Sequence, residues 1–478
     1  MQKNSIILLI TIFIALIYTD AIVFWHLYTP DFNLIIQNPG ADNRPEGKAR
    51  KTDDVVIGEF FMRYAENMDT VRRVSTLRGQ WACFRGSDYK NIVHTNEKIN
   101  FSADFPIKWK VETGEGHAAP IIYNGLVYLL DYDEKISSDM LRCFSLESGL
   151  ELWRRWYRAP MKRNHGFSRT APAVTDKYVV TLGPQAHVMC CDAASGELKW
   201  TLDVRKYFDT EEPNWYAGQC PRIDNSQLIL APTGKEILMV GVDCETGEIV
   251  WQTPNTLGYK MSHSSIMPMT LCGKKMYVYA GIGGVCAVSA EIADKGKLLW
   301  NVAWQPSVIA PSPLQLSSDK IAMTAGYGAG GALLQVKNEN GKWSATIIDR
   351  YKPSEGLASE QQTPILYEQM LITVLPKDGG GMRGKLVAYL PSNLRAPIWE
   401  SAADERFGLG PYMVIGNHLF ALKEDGELFV YKLEQKKMSL IKKQRIMEGH
   451  DAWGPMAYAD GYLILRDNYS VYCLKISF

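Results

Sequence analysis

Two regimes of apolar patterning divide the chain. From Ser5 to Tyr28 nearly every position is apolar and Asp20 is the only charge. Beyond about residue 100 the pattern changes to short runs of alternating apolar and polar residues, the period of a half-buried β-strand. A proline recurs before these runs, at Pro120, Pro172, Pro221, Pro268, Pro313, Pro364, Pro411 and Pro455, at intervals of about 44 to 52 residues. Each proline leads into a strand, a tight turn such as Asn124-Gly125 or Asp460-Gly461, and a second strand. Gly and Asn accept the positive φ that such hairpin turns need. Each copy then closes on a strand, turn, strand signature that ends in an indole: CFSLESGLELW at 143–153, CCDAASGELKW at 190–200, GVDCETGEIVW at 241–251.

Four short strands cannot cover both of their faces alone, so such copies must stack face to face. Eight units of this size in radial array predict an all-β, eight-bladed β-propeller of four-stranded antiparallel blades. Trp109, Trp153, Trp200, Trp251, Trp300, Trp343 and Trp399 mark the ends of successive copies and are expected as wedges between blades. The eighth copy stops at SVYCLKISF, three strands long and without a terminal Trp. The missing strand stands before the first proline as PIKWKVET. Donated to the last blade, it would pin the ring shut and leave no open edge.

The propeller is thus expected over 101–478, preceded by a linker over 29–100 and an N-terminal segment over 1–28. Within the linker, Val55, Val56, Phe60 and Tyr64 are spaced as in a short helix. Two readings compete for the first segment. A signal peptide would be cut after Thr19-Asp20-Ala21; a signal anchor would continue through Phe24 and Trp25 as a transmembrane helix. The apolar run does not stop at the cleavage site, which favours the anchor and an inner-membrane, single-pass protein with its propeller on the periplasmic side. The membrane would then be one partner, through that helix.

Charge narrows the rest. Lys+Arg and Asp+Glu both number 52 and the formal net charge is zero, which leaves no global field for nucleic acid. The nine cysteines include no C-x-x-C and give no metal knuckle. No nucleophile elbow, phosphate loop, dinucleotide fingerprint or H-E-x-x-H is present.

The complete pattern G-x-D-x-x-T-G-E-x-x-W, from Gly241 to Trp251, resembles the tryptophan-docking motif of the pyrroloquinoline quinone (PQQ) repeat family. That family includes PQQ-dependent alcohol dehydrogenases and the propeller lipoprotein of the BAM outer-membrane assembly machine. The stretch Trp81-Ala82-Cys83-Phe84-Arg85-Gly86 is similar to the W-x-x-F-R-G opening of exported bacterial PQQ-like propellers. The resemblance covers about residues 80–478 and implies architecture before activity.

A dehydrogenase of this family would need a calcium held by oxygen ligands to orient the quinone, a carboxylate base, and flat residues around the cofactor. Adjacent Cys190 and Cys191 invite the family's ring disulfide, yet their place matches Cys143-Phe144 and Cys473-Leu474 in other copies, an ordinary strand position. Residues just before each repeat proline should face the central funnel. They bring together His117, Arg169, Gln361, Gln362 and Trp453, a polar and aromatic set with Glu360 and Asp451 as its only nearby acids. No catalytic or metal-ligating set is assigned and no cofactor is expected, PQQ and calcium lacking a recognisable site. The five residues are candidates for a ligand or peptide site on a scaffold, with an envelope protein as the partner that the BAM relative suggests. The competing reading is a PQQ- and calcium-dependent alcohol or sugar dehydrogenase.

Overall fold

The computed structural model describes residues 2–28, 35–37, 59–65, 75–449 and 451–477, which divide into two units, Met1–Ile35 and Ile36–Phe478. The first unit carries the helix Gln2–Tyr28. Among the described residues no helix is long and apolar enough to cross a membrane. The expected transmembrane anchor is therefore corrected, and with it the single-pass inner-membrane placement. Asp20 lies inside this helix, a charge that a hydrocarbon core would penalise.

The second unit is an eight-bladed propeller. Blade 1 consists of Ile121–Tyr123, Leu126–Asp133, Ser138–Ser145 and Glu151–Arg158. Blades 2 to 7 occupy 173–203, 222–254, 267–304, 314–351, 365–400 and 412–445. In six blades the repeat proline immediately precedes the innermost strand, where its missing N–H breaks no ladder bond; Pro268 lies within its strand, Met267–Leu271, and Pro455 stands two residues before Ala457–Ala459. Many hairpins turn as the sequence predicts, with both central residues left-handed at Asn124-Gly125, Cys272-Gly273, Asn340-Gly341 and Asp460-Gly461. Blade 8 contains Ala457–Ala459, Tyr462–Arg466 and Ser470–Lys475, completed by Ile107–Glu112. Trp109 pairs with Cys473, as the displaced-strand reading requires.

Six of the eight outer strands hold an indole at one register position, opposite a small residue and beside a bulge: Trp109 faces Cys473, Trp153 Cys143, Trp200 Cys190, Trp251 Gly241, Trp300 Ala287 and Trp399 Ala388. From there the ring reaches the turn of the next blade. Trp109 Nε1 donates to the Leu146 carbonyl at 2.8 Å, Trp153 Nε1 to Ala194 at 3.2 Å, and Trp200 Nε1 to Cys244 at 2.8 Å. The turn glycines must be glycine twice over. Gly149 and Gly196 are left-handed, and a Cβ on either would lie 2.6 Å from the docked indole. Ahead of Gly196 and Gly247 an Asp organises the turn, as Asp243 Oδ1 does by accepting from the Glu245 and Thr246 amides at 2.9 and 2.8 Å.

Trp343 is not part of this series. It pairs with Asn338 near the hairpin tip of blade 5, and the bulge falls beside Asp349 instead. Asp349 accepts from Arg395 of blade 6 at 2.6 Å. In blade 7 the position belongs to Lys442, which reaches Asp104 at 2.8 Å and lies over the Phe105 ring. Ion pairs thus replace the indole at two of the eight junctions.

The residues before blade 1 depart most from expectation. Phe60–Tyr64 is a strand on the outer edge of blade 1, not part of a helix; residues 51–58 and 66–74 lie outside the described set. Residues 79–93 cross the centre of the ring. Gln80–Trp81 pairs with the inner strand of blade 1, the Ala82 carbonyl accepts from Val174 of blade 2, and Ile92–Val93 runs parallel to the inner strand of blade 7. Arg85 is buried and donates to the carbonyls of Thr363 and Pro364 at 2.8 and 3.0 Å. Arg222 of blade 3 stacks over Tyr89. The W-x-x-F-R-G motif is therefore a plug, and the propeller has no open channel at this level.

None of the nine cysteines is in a disulfide. Cys190 and Cys191 point to opposite faces of their strand, into two different apolar clusters, so the pair forms no ring disulfide.

Trp200→Ala should lower unfolding free energy by about 3–5 kcal/mol, since it opens a core cavity and removes the indole donor from the Cys244 carbonyl. Lys442→Ala, which removes a pair to an exposed carboxylate, should change it by under ~1 kcal/mol. Urea denaturation of the two variants checks the contrast; equal losses would mean that the indoles are not what holds the blades together.

Candidate functional site

Above the plug the inner strands diverge into a cavity of about 340 Å³ to which all eight blades contribute. Phe84 of the plug forms its floor. His117, Arg169, Gln361, Gln362 and Trp453, the residues expected at the funnel from their offset to the repeat prolines, all line it. The offset works because each approaches its blade's innermost strand from the same end of the ring. Small residues at the same offset, Gly218, Ser265 and Ala310, leave room in the middle.

Sequence reasoning missed one wall. Trp215 stacks on Tyr327 with centroids 5.6 Å apart and lies 6.3 Å from the His263 ring. Trp215 comes from the connection between blades 2 and 3, and Tyr327 from the glycine-rich turn in blade 5. No strand periodicity reaches such loops. An aromatic residue set inside the run from Gly326 to Gly331 was the signal available. On the other wall His117 stacks on Trp453 at 4.7 Å. Trp453 is held by its carbonyl, which accepts from Gln362 Nε2 at 2.9 Å, and by its indole N–H, 3.3 Å from Glu424.

His165, Trp215 and Tyr327 all carry positive φ, at 52°, 66° and 56°. For bulky side chains this conformation is costly and persists only where surrounding contacts enforce it. Arg169 supplies that enforcement for two of the three. Its Nε donates to the Trp215 carbonyl at 2.5 Å, and Nη2 to the carbonyls of Asn164 and His165 at 2.7 and 2.8 Å.

The electrostatics follow from this arrangement. Among the described residues Arg169 forms no ion pair, and burial, only partly offset by distant acids, pushes its pKa down to about 10. Burial, with Arg169 and Arg466 nearby, lowers His117 to about 3; burial and Arg169 lower His263 to about 4. Both imidazoles are neutral at pH 7. Glu360 is the sole carboxylate among the lining residues and lies 3.5 Å from Lys377 Nζ, which in turn sits over the Tyr327 ring.

A PQQ-repeat family model, described as outer membrane protein assembly factor BamB, matches residues 137–355, within blades 1 to 5. Over those residues the chain is similar to PQQ-repeat β-propellers. Solved structures agree on the architecture. A europium-containing methanol dehydrogenase aligns with TM-score 0.58 and 11% identity over 85% of this propeller's chain and 100% of its own. BamB from Moraxella catarrhalis aligns with TM-score 0.52 and 12% identity over 78% and 98%. The computationally designed Ika8 protein gives 0.50 and 10% over 76% and 97%. At these identities the match carries the fold alone. No curated protein matches the chain by sequence.

The family raises the question of a calcium-held quinone, and the residues of this propeller do not fit one. Among the described residues no group of three His, Cys, Asp or Glu side chains could hold a metal ion. The cavity's one carboxylate is engaged by Lys377, and the adjacent cysteines lie in the blade 2 core rather than on the cavity wall.

Neutral His117 makes a pH prediction whose sign is fixed. Its folded pKa, about 3, lies below the ~6.5 of an unfolded histidine, so the unfolded chain binds a proton that the folded one does not. The stability from this residue is present above pH ~6.5 and is lost as pH falls towards 3. His117→Phe, which keeps the ring stack, should flatten the fall in unfolding free energy between pH 6.5 and 4.5. An unchanged slope by urea denaturation would show that His117 is not the neutral buried group described.

Proposed function

We propose that this propeller is a binding protein whose working site is the floored funnel, where a ligand is held between two aromatic walls. The observation that carries this reading is the convergence of His117, Arg169, Gln361, Gln362 and Trp453 with Trp215, Tyr327 and His263 on a single concave site. Rings on opposing walls, neutral donors and a few polar side chains make a recognition surface. The one carboxylate of its lining, Glu360, is paired with Lys377, which favours recognition over redox turnover.

A protein partner is the second reading. The description of the matched family as an outer membrane protein assembly factor supports it. So does the outer strand of blade 5, Lys342–Tyr351, which has a partner on one edge only and leaves Ile348 half exposed. An extended segment can add to such an edge through its backbone.

Two measurements separate binding from redox catalysis. Ligand-observed NMR with small aromatic compounds should show binding that Trp453→Ala weakens by about tenfold, the loss of one stacked ring. Incubation with PQQ and Ca²⁺ should give neither a stoichiometric quinone spectrum nor alcohol-dependent dye reduction. The appearance of both would overturn the binding-protein reading in favour of a dehydrogenase.

A further inference from the structure

Two polar side chains on the cavity wall end without a partner among the described residues: Arg169 at Nη1, and Gln361 at its carboxamide. Arg169 is the more demanding of the two. Three of its hydrogen bonds fix the plane of the guanidinium against backbone carbonyls, so its remaining edge is fixed as well. Those carbonyls supply partial charge and no counter-ion, and a largely buried cation without one is the kind of group that an anionic ligand stabilises.

The neighbours restrict the anion. Lys377 is paired with Glu360, and both His117 and His263 are neutral. One uncompensated positive charge is therefore available, enough for one acidic group and not for several. Trp215 and Tyr327 stand beside it as a stacked pair, with Tyr327 45% exposed. The left-handed backbone that presents Trp215 is held by the same arginine, and Tyr327 stacks on that indole. The charge and the first ring of the flat apolar surface are thus set by a single side chain.

We infer that Arg169 anchors the carboxylate of a singly acidic ligand whose apolar ring packs against Trp215 and Tyr327. This rests on the funnel being the binding site and specifies what it takes. The carboxylate can belong to a free aryl acid or to the C-terminus of a polypeptide that ends in an aromatic residue; both present the same chemistry.

The test is isothermal titration of the full chain with 3-phenylpropionate and with its amide, and with Gly-Gly-Phe as free acid and as C-terminal amide. The acid of at least one pair should bind at least about tenfold more tightly than its amide, as a charge-assisted hydrogen bond implies. That ratio should fall towards one in Arg169→Lys, which keeps the charge but not the planar fork. Tyr327→Ala, at an exposed position where misfolding is not a concern, should weaken acid and amide alike and leave their ratio intact. The peptide pair against the phenylpropionate pair decides between the two sources.

Equal affinity of acid and amide in both pairs would overturn the carboxylate anchor while leaving the funnel as a binding site. A ratio that survives in Arg169→Lys would place the anion elsewhere and overturn it too. Failure of all four probes to bind would sink the proposed ligand class, whereas the funnel reading would then stand or fall on the aromatic compounds and Trp453→Ala.

Discussion

The indole of one blade, lying on the turn of the next and at Trp109, Trp153 and Trp200 donating its N–H to that turn's carbonyl, is the contact on which the ring depends. It joins the two halves of the repeat: the strand that ends in Trp and the Asp-x-x-Thr-Gly turn that receives it. Neither half makes sense in an isolated blade, because each is completed by a neighbour. The small residue opposite each Trp has the same origin. Cys143, Cys190, Gly241 and Cys473 leave space for a ring that must lean away from its own sheet. Where the indole is missing, at Asp349 and Lys442, an ion pair spans the junction instead. These pairs involve exposed partners and contribute little at a surface. The ring therefore draws its cohesion unequally, most from blades 8 through 4.

The plug compensates at the centre. Residues 79–93 bond to the inner strands of blades 1, 2, 6 and 7, which are joined at their rims partly by the weaker devices. Arg85 fixes the segment to blade 6 through two carbonyls. The same crossing brings Phe84 to the base of the funnel, so a stabilising element also gives the site its floor.

What could be read from the sequence follows from which physics is periodic. Strand alternation, repeat prolines and docking tryptophans recur eight, eight and six times, and blade number and ring closure followed from them. The five funnel residues were also legible, because their offset from a periodic proline fixes the end of the ring they face. Trp343 misled, since an indole close to the expected spacing sits in a hairpin tip, and only pairing register separates it from Asp349. The plug was seen as a motif but not as a plug. Its long-range bonds go to residues between about 40 and 380 positions away, and nothing local in Trp81 to Gly86 encodes that. Phe60–Tyr64 was misread because one short apolar run suits a helix or an edge strand equally. Trp215 and Tyr327 escaped for the opposite reason: they stand in loops, where conformation is imposed by tertiary contacts, for Trp215 by Arg169, and not by spacing.

That last point bears on how one fold serves different chemistries. The blades, the docking turns and the plug would be unchanged if every residue of the rim were exchanged, because none of the indole contacts reaches the cavity. What a propeller of this fold binds is therefore written in residues that contribute least to its repeat. In this chain the rim holds rings in strained backbone under one arginine, and holds its only acid in a pair with Lys377. A redox cofactor bound through a metal would require the reverse arrangement, with free carboxylates and compensated cations. The constraint on function accordingly comes not from the fold shared with dehydrogenases, but from the charge pattern at the end of the funnel.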